Sequence, residues 1–254
     1  FLKIGFIIYF ASWLAEFKSK IESFRYGFLP LIILLGVCGA VLLTQPDTDT
    51  LVVIAISGIA MYFAAGARWR DILILGLIGI IGLSALIYAK PYLKARLMTF
   101  VNPAADPLNS GYQIQQSLIA IGSGEVFGRG FGKSLQKFNY LPEPVGDSIF
   151  AVFAEEWGLI GSVSLITLFI LFAMRGLKIA TNAPNMFGAL ATTGIVILII
   201  SQSLINIAAM LAVLPLTGIP LVFISQGGTA MLFALSAIGI VLNVSKYQKL
   251  RDGR

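Results

Sequence analysis

No histidine occurs among the 254 residues of this chain, and its one cysteine, Cys38, lies inside an apolar run. These shortages exclude a zinc cluster, a Ser/His/Asp triad and a disulfide framework. A general base here is a carboxylate or a lysine. Charge is scarce as well: Asp, Glu, Lys and Arg make up 12% of the residues, about half the share usual in soluble domains. The net charge of +6 comes from dispersed basic residues with no aromatic-interleaved basic stripe, which argues against nucleic-acid binding. No signal-peptide pattern opens the chain, which starts at Phe1 within an apolar stretch and reads as part of a longer protein.

Apolar residues make up 57% of the chain and the mean hydropathy is +0.90. They are gathered into stretches at 1–17, 27–44, 50–66, 71–89, 148–174, 187–212 and 226–245. Hydrocarbon forces every backbone N–H and C=O to pair within its own segment, so stretches of this length predict membrane-crossing helices. The expected fold is an all-α, polytopic membrane helix bundle with seven spans, a single membrane domain over 1–254 interrupted by one large polar loop at 90–147. Lys18, Lys20, Arg25, Arg68, Arg70, Arg175, Lys178, Lys246, Lys249, Arg251 and Arg254 fall on one side. On the other side Lys90, Lys94, Arg96, Arg129, Lys133 and Lys137 all lie in the one long loop, whose charges count less than those of short loops, and the short loop 45–50 carries only the acids Asp47 and Asp49. The positive-inside rule then puts the C-terminus in the cytoplasm and loop 90–147 outside.

Within the spans, Gly36 with Ala40 and the series Gly76, Gly79, Gly82 suit close helix packing. Pro215 and Pro220, followed by Gly227 and Gly228, predict a bent or re-entrant segment. In the large loop, residues 111–124 mix Tyr112, Leu118, Ile119 and Ile121 with Gln113, Gln115, Gln116 and Ser117, a pattern suited to a short amphipathic helix at the membrane surface. A glycine-rich stretch follows, with Arg129 and Lys133 among Gly122, Gly124, Gly128, Gly130 and Gly132. It reads either as a phosphate cradle or as a solvated turn region.

Two prolines, Pro142 and Pro144, lead to Asp147 at the start of the fifth span, where it is a helix N-cap or a catalytic carboxylate. Glu155 and Glu156 lie ~12–14 Å further along the helix. At that depth an ionisable group costs roughly 2.5 kcal/mol or more unless it faces protein or water. They mark a polar cavity or pair with packing partners. Because neighbours point about 100° apart, only one is expected to face inward while the other pairs or snorkels.

Read together, the motifs GYQIQQS at 111–117, IAIGSG at 119–124, FGRGFG at 127–132, YLPEPVGD at 140–147, AEEWG at 154–158, PLTGIP at 215–220 and SQGG at 225–228 resemble the SEDS family, the FtsW and RodA proteins of bacterial division and elongation. QPD at 45–47 and PYLKAR at 91–96 also fit. The run at 137–144 favours the FtsW branch. Asp49 stands where the family often has glycine, Val145 and Gly146 where it has His and Thr, and Gln226 where it has Tyr. The family usually has ten membrane helices, so the resemblance implies that three precede Lys3.

The resemblance implies a peptidoglycan glycosyltransferase of the bacterial cytoplasmic membrane. It would polymerise lipid II, the undecaprenyl-pyrophosphate-linked disaccharide peptide, by a single inverting displacement. Asp147 matches the family's essential outer-loop aspartate. Lys3, Arg96, Gln113, Gln116, Ser117, Glu155, Glu156 and Ser225 are the expected substrate-binding residues. Lys3 and Arg96 are expected to share the mouth of one cavity with Asp147, where they or a divalent cation of unknown identity would meet the departing pyrophosphate. The implied partner is a class B penicillin-binding protein. A lipid II flippase, drawing on buried acids and interrupted helices, and a non-catalytic scaffold are the alternatives.

Overall fold

The computed structural model describes residues 1–103, 106, 110–138 and 140–248. Lys249, Arg251 and Arg254, counted above among the inner cations, and Asn139 of the run at 137–144 lie outside the described residues. The described chain is helical, with no strand. The helices are α1 (Leu2–Glu16), α2 (Leu29–Thr44, entered through a π-helical turn at Phe24–Phe28), α3 (Thr48–Ala64), α4 (Trp69–Ala89), α5 (Pro91–Val101), α6 (Ser110–Ser123), α7 (Ile149–Thr181), α8 (Met186–Met210) and α9 (Gly228–Lys246).

The seven stretches drawn from the sequence fall on α1, α2, α3, α4, α7, α8 and α9. Five of these, counting the turn before α2, are long and apolar enough to cross a membrane. The other two, α1 and α3, have 15 and 17 residues. Their ends follow local chemistry. Pro30 and Pro91 stand in the first turns of α2 and α5, where a missing N–H costs nothing. Asp47 caps α3 by accepting from the Thr50 N–H at 3.1 Å.

Two compact units divide the chain. The first comprises Phe1–Ile78, Ile170–Ser201 and Thr229–Arg254. Its core is built where α1, α2, α3 and α8 meet at glycines: a methyl at Gly58 would lie 2.9 Å from Phe6 and Leu31, and one at Gly194 2.5 Å from Met61. Tyr62, fully buried, donates its hydroxyl to Asp71 at 3.1 Å. The second unit comprises Gly79–Phe169 and Gln202–Gly228. Here Ala120 of α6 packs with Leu141, Ala151 and Val152, and Ile121 and Ile149 cover the edge.

On α6 the buried residues are Gly111, Ile114, Ser117 and Ala120, three apart along one face, and Leu118 and Ile119 lie on its exposed side. Two expectations are revised. Among the described residues, no atom beyond the glycine's own stretch of helix lies within 4 Å of a methyl placed at Gly36, Gly76, Gly79 or Gly82, so no close helix packing is seen there. And α7 is not one uninterrupted helix over 148–174: it runs from Ile149 to Thr181 and breaks at Gly158, where φ is 65° and ψ is −162°.

The break is repaired by the glycine-rich loop. Arg129 N–H and Gly130 N–H donate to the carbonyls of Glu155 and Glu156, each at 3.0 Å, while Leu159 and Ile160 donate to the carbonyls of Glu125 and Val126 at 2.9 and 3.2 Å. Backbone lies directly on backbone, and a methyl at Gly128 would stand 2.2 Å from the Glu156 carbonyl oxygen. Of the two sequence readings, these bonds favour a structural role for the glycines. Gly128→Ala, at φ 77°, is expected to cost about 2 kcal/mol in strain and displacement. Its thermal midpoint should fall by roughly 4–8 °C. Gly79→Ala on the open face of α4, measured beside it, should leave the midpoint unchanged or raise it slightly.

Candidate active site

Asp147 stands two residues before α7, and three successive carbonyls around it are held by α8 and the segment joining it to α9. Gln226 N–H donates to Val145 O, Ser225 Oγ to Gly146 O and Asn206 Nδ2 to Asp147 O, all at 2.8 Å. The same Asn206 amide reaches Ile219 O at 2.8 Å, and Gln202 donates to Pro220 O at 2.9 Å. These bonds fix the expected irregular segment, which spans residues 211–227 between the two helices. Ser225 Oγ also accepts from Leu221 N–H at 2.8 Å. On the other side, Gln113 of α6 donates to Ser148 Oγ at 3.0 Å, and that hydroxyl donates to Pro142 O at 2.8 Å.

Asp147 is thus a half-buried carboxylate on an immobilised main chain. Its Oδ2 lies beside Gly218, where even a methyl would come to 3.7 Å. The missing side chain at 218 leaves that oxygen next to bare backbone. Regular helix in α7 starts at Ile149, two residues after Asp147, and the Ser148 carbonyl accepts from Ala151 N–H at 3.0 Å. A turn closed by Ser148 N–H on Glu143 O, at 3.2 Å, carries the chain past Asp147 before helical geometry begins.

Glu155 and Glu156 serve loop 129–137. Glu155, with no exposed surface, accepts from Ser134 Oγ at 2.5 Å, from Leu135 N–H at 3.0 Å and from Gln136 N–H at 3.3 Å, with Arg129 Nε at 3.7 Å. Glu156, 8% exposed, accepts from Gly132 N–H at 2.9 Å and Ser134 N–H at 3.3 Å, and pairs with Lys137 at 2.6 Å. The single inward acid expected from the sequence becomes two buried acids, because a folded loop with its own donors covers both.

Their depth also changes. Leu159 to Met174 is an uninterrupted uncharged run of 16 residues ending at Arg175. It is ~24 Å long, most of the ~30 Å hydrocarbon thickness. Counted from Arg175, Glu156 and Glu155 then stand ~28–30 Å along the chain, level with the far edge of a hydrocarbon layer of that thickness.

The other expected residues are divided between the two units. Lys3 belongs to the first unit, half-buried in the first turn of α1 and within electrostatic reach of Asp47. Arg96 belongs to the second unit, on α5, with its guanidinium 6.0 Å from the centre of the Tyr92 ring one turn away. Gln116 is half-buried, and Ser117 is fully buried with its hydroxyl 3.6 Å from Met210 Sδ. Gln113, Ser117 and Ser225 are thus committed to protein partners. Among the described residues no three acid or thiol ligands converge.

Sequence reading missed Asn206, Gln202 and Lys137. The signal for the first two was present: Gln202 and Asn206 are one turn apart in an otherwise apolar span, where a polar side chain needs a partner.

The profile of the FtsW, RodA and SpoVE cell cycle proteins matches residues 1–250. Stage V sporulation protein E of Bacillus subtilis is 42% identical over 249 residues, 98% of this chain and 68% of that protein. A probable peptidoglycan glycosyltransferase FtsW of Geobacter sp. strain M18 is 38% identical over 243 residues, 96% of this chain and 66% of its own length. This chain therefore spans about two thirds of the relatives it matches. Among solved structures, a chain of a peptidoglycan synthase complex coordinating polymerization and crosslinking superposes with a TM-score of 0.77 at 25% identity, covering 98% of this chain and 69% of that one. The rod shape determining protein RodA of Thermus thermophilus gives 0.65 at 26% identity, over 97% and 65%.

The two glutamates are expected to differ in degree. Glu155→Gln turns an amide N–H₂ toward three donors and should cost about 2–3 kcal/mol, the range for hydrogen bonds to a charged group. Glu156→Gln keeps an acceptor for Gly132 and Ser134 and frees a partly exposed Lys137, so about 1 kcal/mol is expected. Thermal midpoints of the two variants, with limited proteolysis of loop 129–137, check the order; two silent variants would contradict it.

Proposed function

The chain belongs to the SEDS family of FtsW, RodA and SpoVE proteins, and from that membership we propose that it is a peptidoglycan glycosyltransferase polymerising lipid II at the outer face of the bacterial cytoplasmic membrane. The observation that carries the reading is the Asp147 arm. Three adjacent carbonyls are anchored, and the carboxylate stands beside the bare backbone of Gly218. A base positioned in advance avoids the entropic cost of finding its substrate.

In this reading a sugar hydroxyl of one lipid-linked saccharide attacks the anomeric carbon of another. The new C–O bond forms as the bond to the lipid pyrophosphate breaks, the hydroxyl proton passes to Asp147, and configuration inverts. The pyrophosphate departs already charged and needs no acid. Arg96 and Lys3 are the cations assigned to it, and no step runs through a metal.

The side of the membrane follows from the basic loops, which put loop 90–147 and Asp147 outside and the C-terminus inside. A class B penicillin-binding protein is the proposed partner, supported by the likeness to a chain of a complex that couples polymerization to crosslinking. Identities of 42% to a stage V sporulation protein E and 38% to an FtsW, against 26% to the Thermus RodA, support the FtsW and SpoVE side of the family over RodA. A transport path has less support, because Glu155 and Glu156 are engaged by loop 129–137.

Asp147→Asn keeps the size of the side chain but cannot take a proton. Polymerisation of lipid II by the purified, reconstituted protein should fall at least about 10²–10⁴-fold, with an unchanged thermal midpoint. Polymer at near the unsubstituted rate would remove Asp147 as the base.

A further inference from the structure

Loop 126–133 leaves two phenylalanines, Phe127 and Phe131, 82% exposed each, an unusual state for large aromatics held on a fixed backbone. Its fixed position comes from the four backbone bonds to residues 155–160 of α7. Phe131 packs edge-on against Trp157 with ring centres 6.4 Å apart, and Trp157 stacks on Phe153 at 6.0 Å. Trp157, Leu159, Ile160 and Val163 are each about half exposed. On a helix that crosses the bilayer, these side chains face lipid.

Height decides what covers the loop. The uncharged run from Leu159 to Arg175 brings the residues bonded to the loop to within about one helical turn of the outer hydrocarbon boundary. That is the level at which aromatic rings collect in membrane proteins. Lys133, exposed beside them, has the stem and charge to reach lipid phosphates.

We propose that loop 126–133 is an outer-leaflet membrane anchor, with the Phe127 and Phe131 rings seated among lipid chains beside Trp157 and Lys133 at the phosphates. The exposed rings continue the lipid-facing surface of α7, and the glycines that lock the loop to the broken helix hold them there. One consequence rests on the glycosyltransferase reading: the anchor keeps the Asp147 arm at a set height above the headgroups, where a lipid-linked sugar presents its scissile bond. The membrane contact itself does not depend on that reading.

The test is depth, not activity. In a Cys38→Ala background, nitroxide labels are placed singly through Phe127→Cys, Phe131→Cys, Lys133→Cys and Val163→Cys, and the protein is reconstituted in nanodiscs of phosphatidylethanolamine and phosphatidylglycerol. Labels at 127 and 131 should collide with oxygen several-fold more, relative to a water-soluble nickel chelate, than the label at 133, approaching the ratio at 163. Equal access to the nickel chelate at 127, 131 and 133 would overturn the proposal and leave the rings as a surface for a protein partner. The unsubstituted protein offers an independent check with a photoactivatable diazirine phospholipid. Adducts on residues 126–133 as well as on 159–163 are expected, and adducts on 159–163 alone would refute the anchor.

Discussion

Backbone polar groups at membrane level must find partners inside the protein, and the arrangement of the second unit follows from that demand. The chain breaks helical geometry at Gly158 and again at residues 211–227. Each break strands donors and acceptors where water is scarce, and each is met by a specific piece of chain. At Gly158 the partner is the backbone of residues 125–130, admitted because Gly128 carries no side chain. At 211–227 it is the side chains of Gln202 and Asn206. The two repairs converge on the site, since the first fixes the early part of α7 and the second fixes the main chain of Asp147 just before it.

Glu155 and Glu156 extend the same logic to charge. Their carboxylates gather Gly132, Ser134, Leu135, Gln136 and Lys137 into one turn. A loop rich in glycine loses much conformational entropy on ordering. Charge-assisted hydrogen bonds are stronger than neutral ones, and several acting together offset that loss. The loop that bears Phe127 and Phe131 is therefore a rigid part of the fold.

Much of this was legible in the sequence because membrane spans obey a composition rule. Six of the seven apolar stretches became helices at nearly the boundaries drawn, the fifth running on to Thr181 with a break at Gly158, and the prolines at 215 and 220 marked the irregular segment. Asp147 was legible as a candidate from its motif, although its position relative to the helix start was shifted by the turn at Glu143, which no spacing announces. The errors share a cause. Periodicity gave α6 its apolar side but not its packed face, which includes small residues where chain segments approach: Gly111 would meet the Asp106 carbonyl oxygen at 2.3 Å if it carried a methyl. The break at Gly158 was hidden within an apolar run, since a single glycine in a helix is usually tolerated. Its partner lies about thirty residues earlier, and such pairings belong to tertiary structure rather than to pattern.

The central claim is that one anchored carboxylate acts as the base in glycan polymerisation. This chain holds no histidine, so among its own residues the groups that titrate on the acid side are carboxyl groups. The most direct measurement is the initial rate of polymer formation from lipid II by the reconstituted protein as a function of pH. The account predicts a rate that falls tenfold per pH unit on the acid side, with a slope of one, as a single carboxylate takes up its proton. A rate that stays flat through the acid range, or no polymer at any pH from a folded protein, would contradict it.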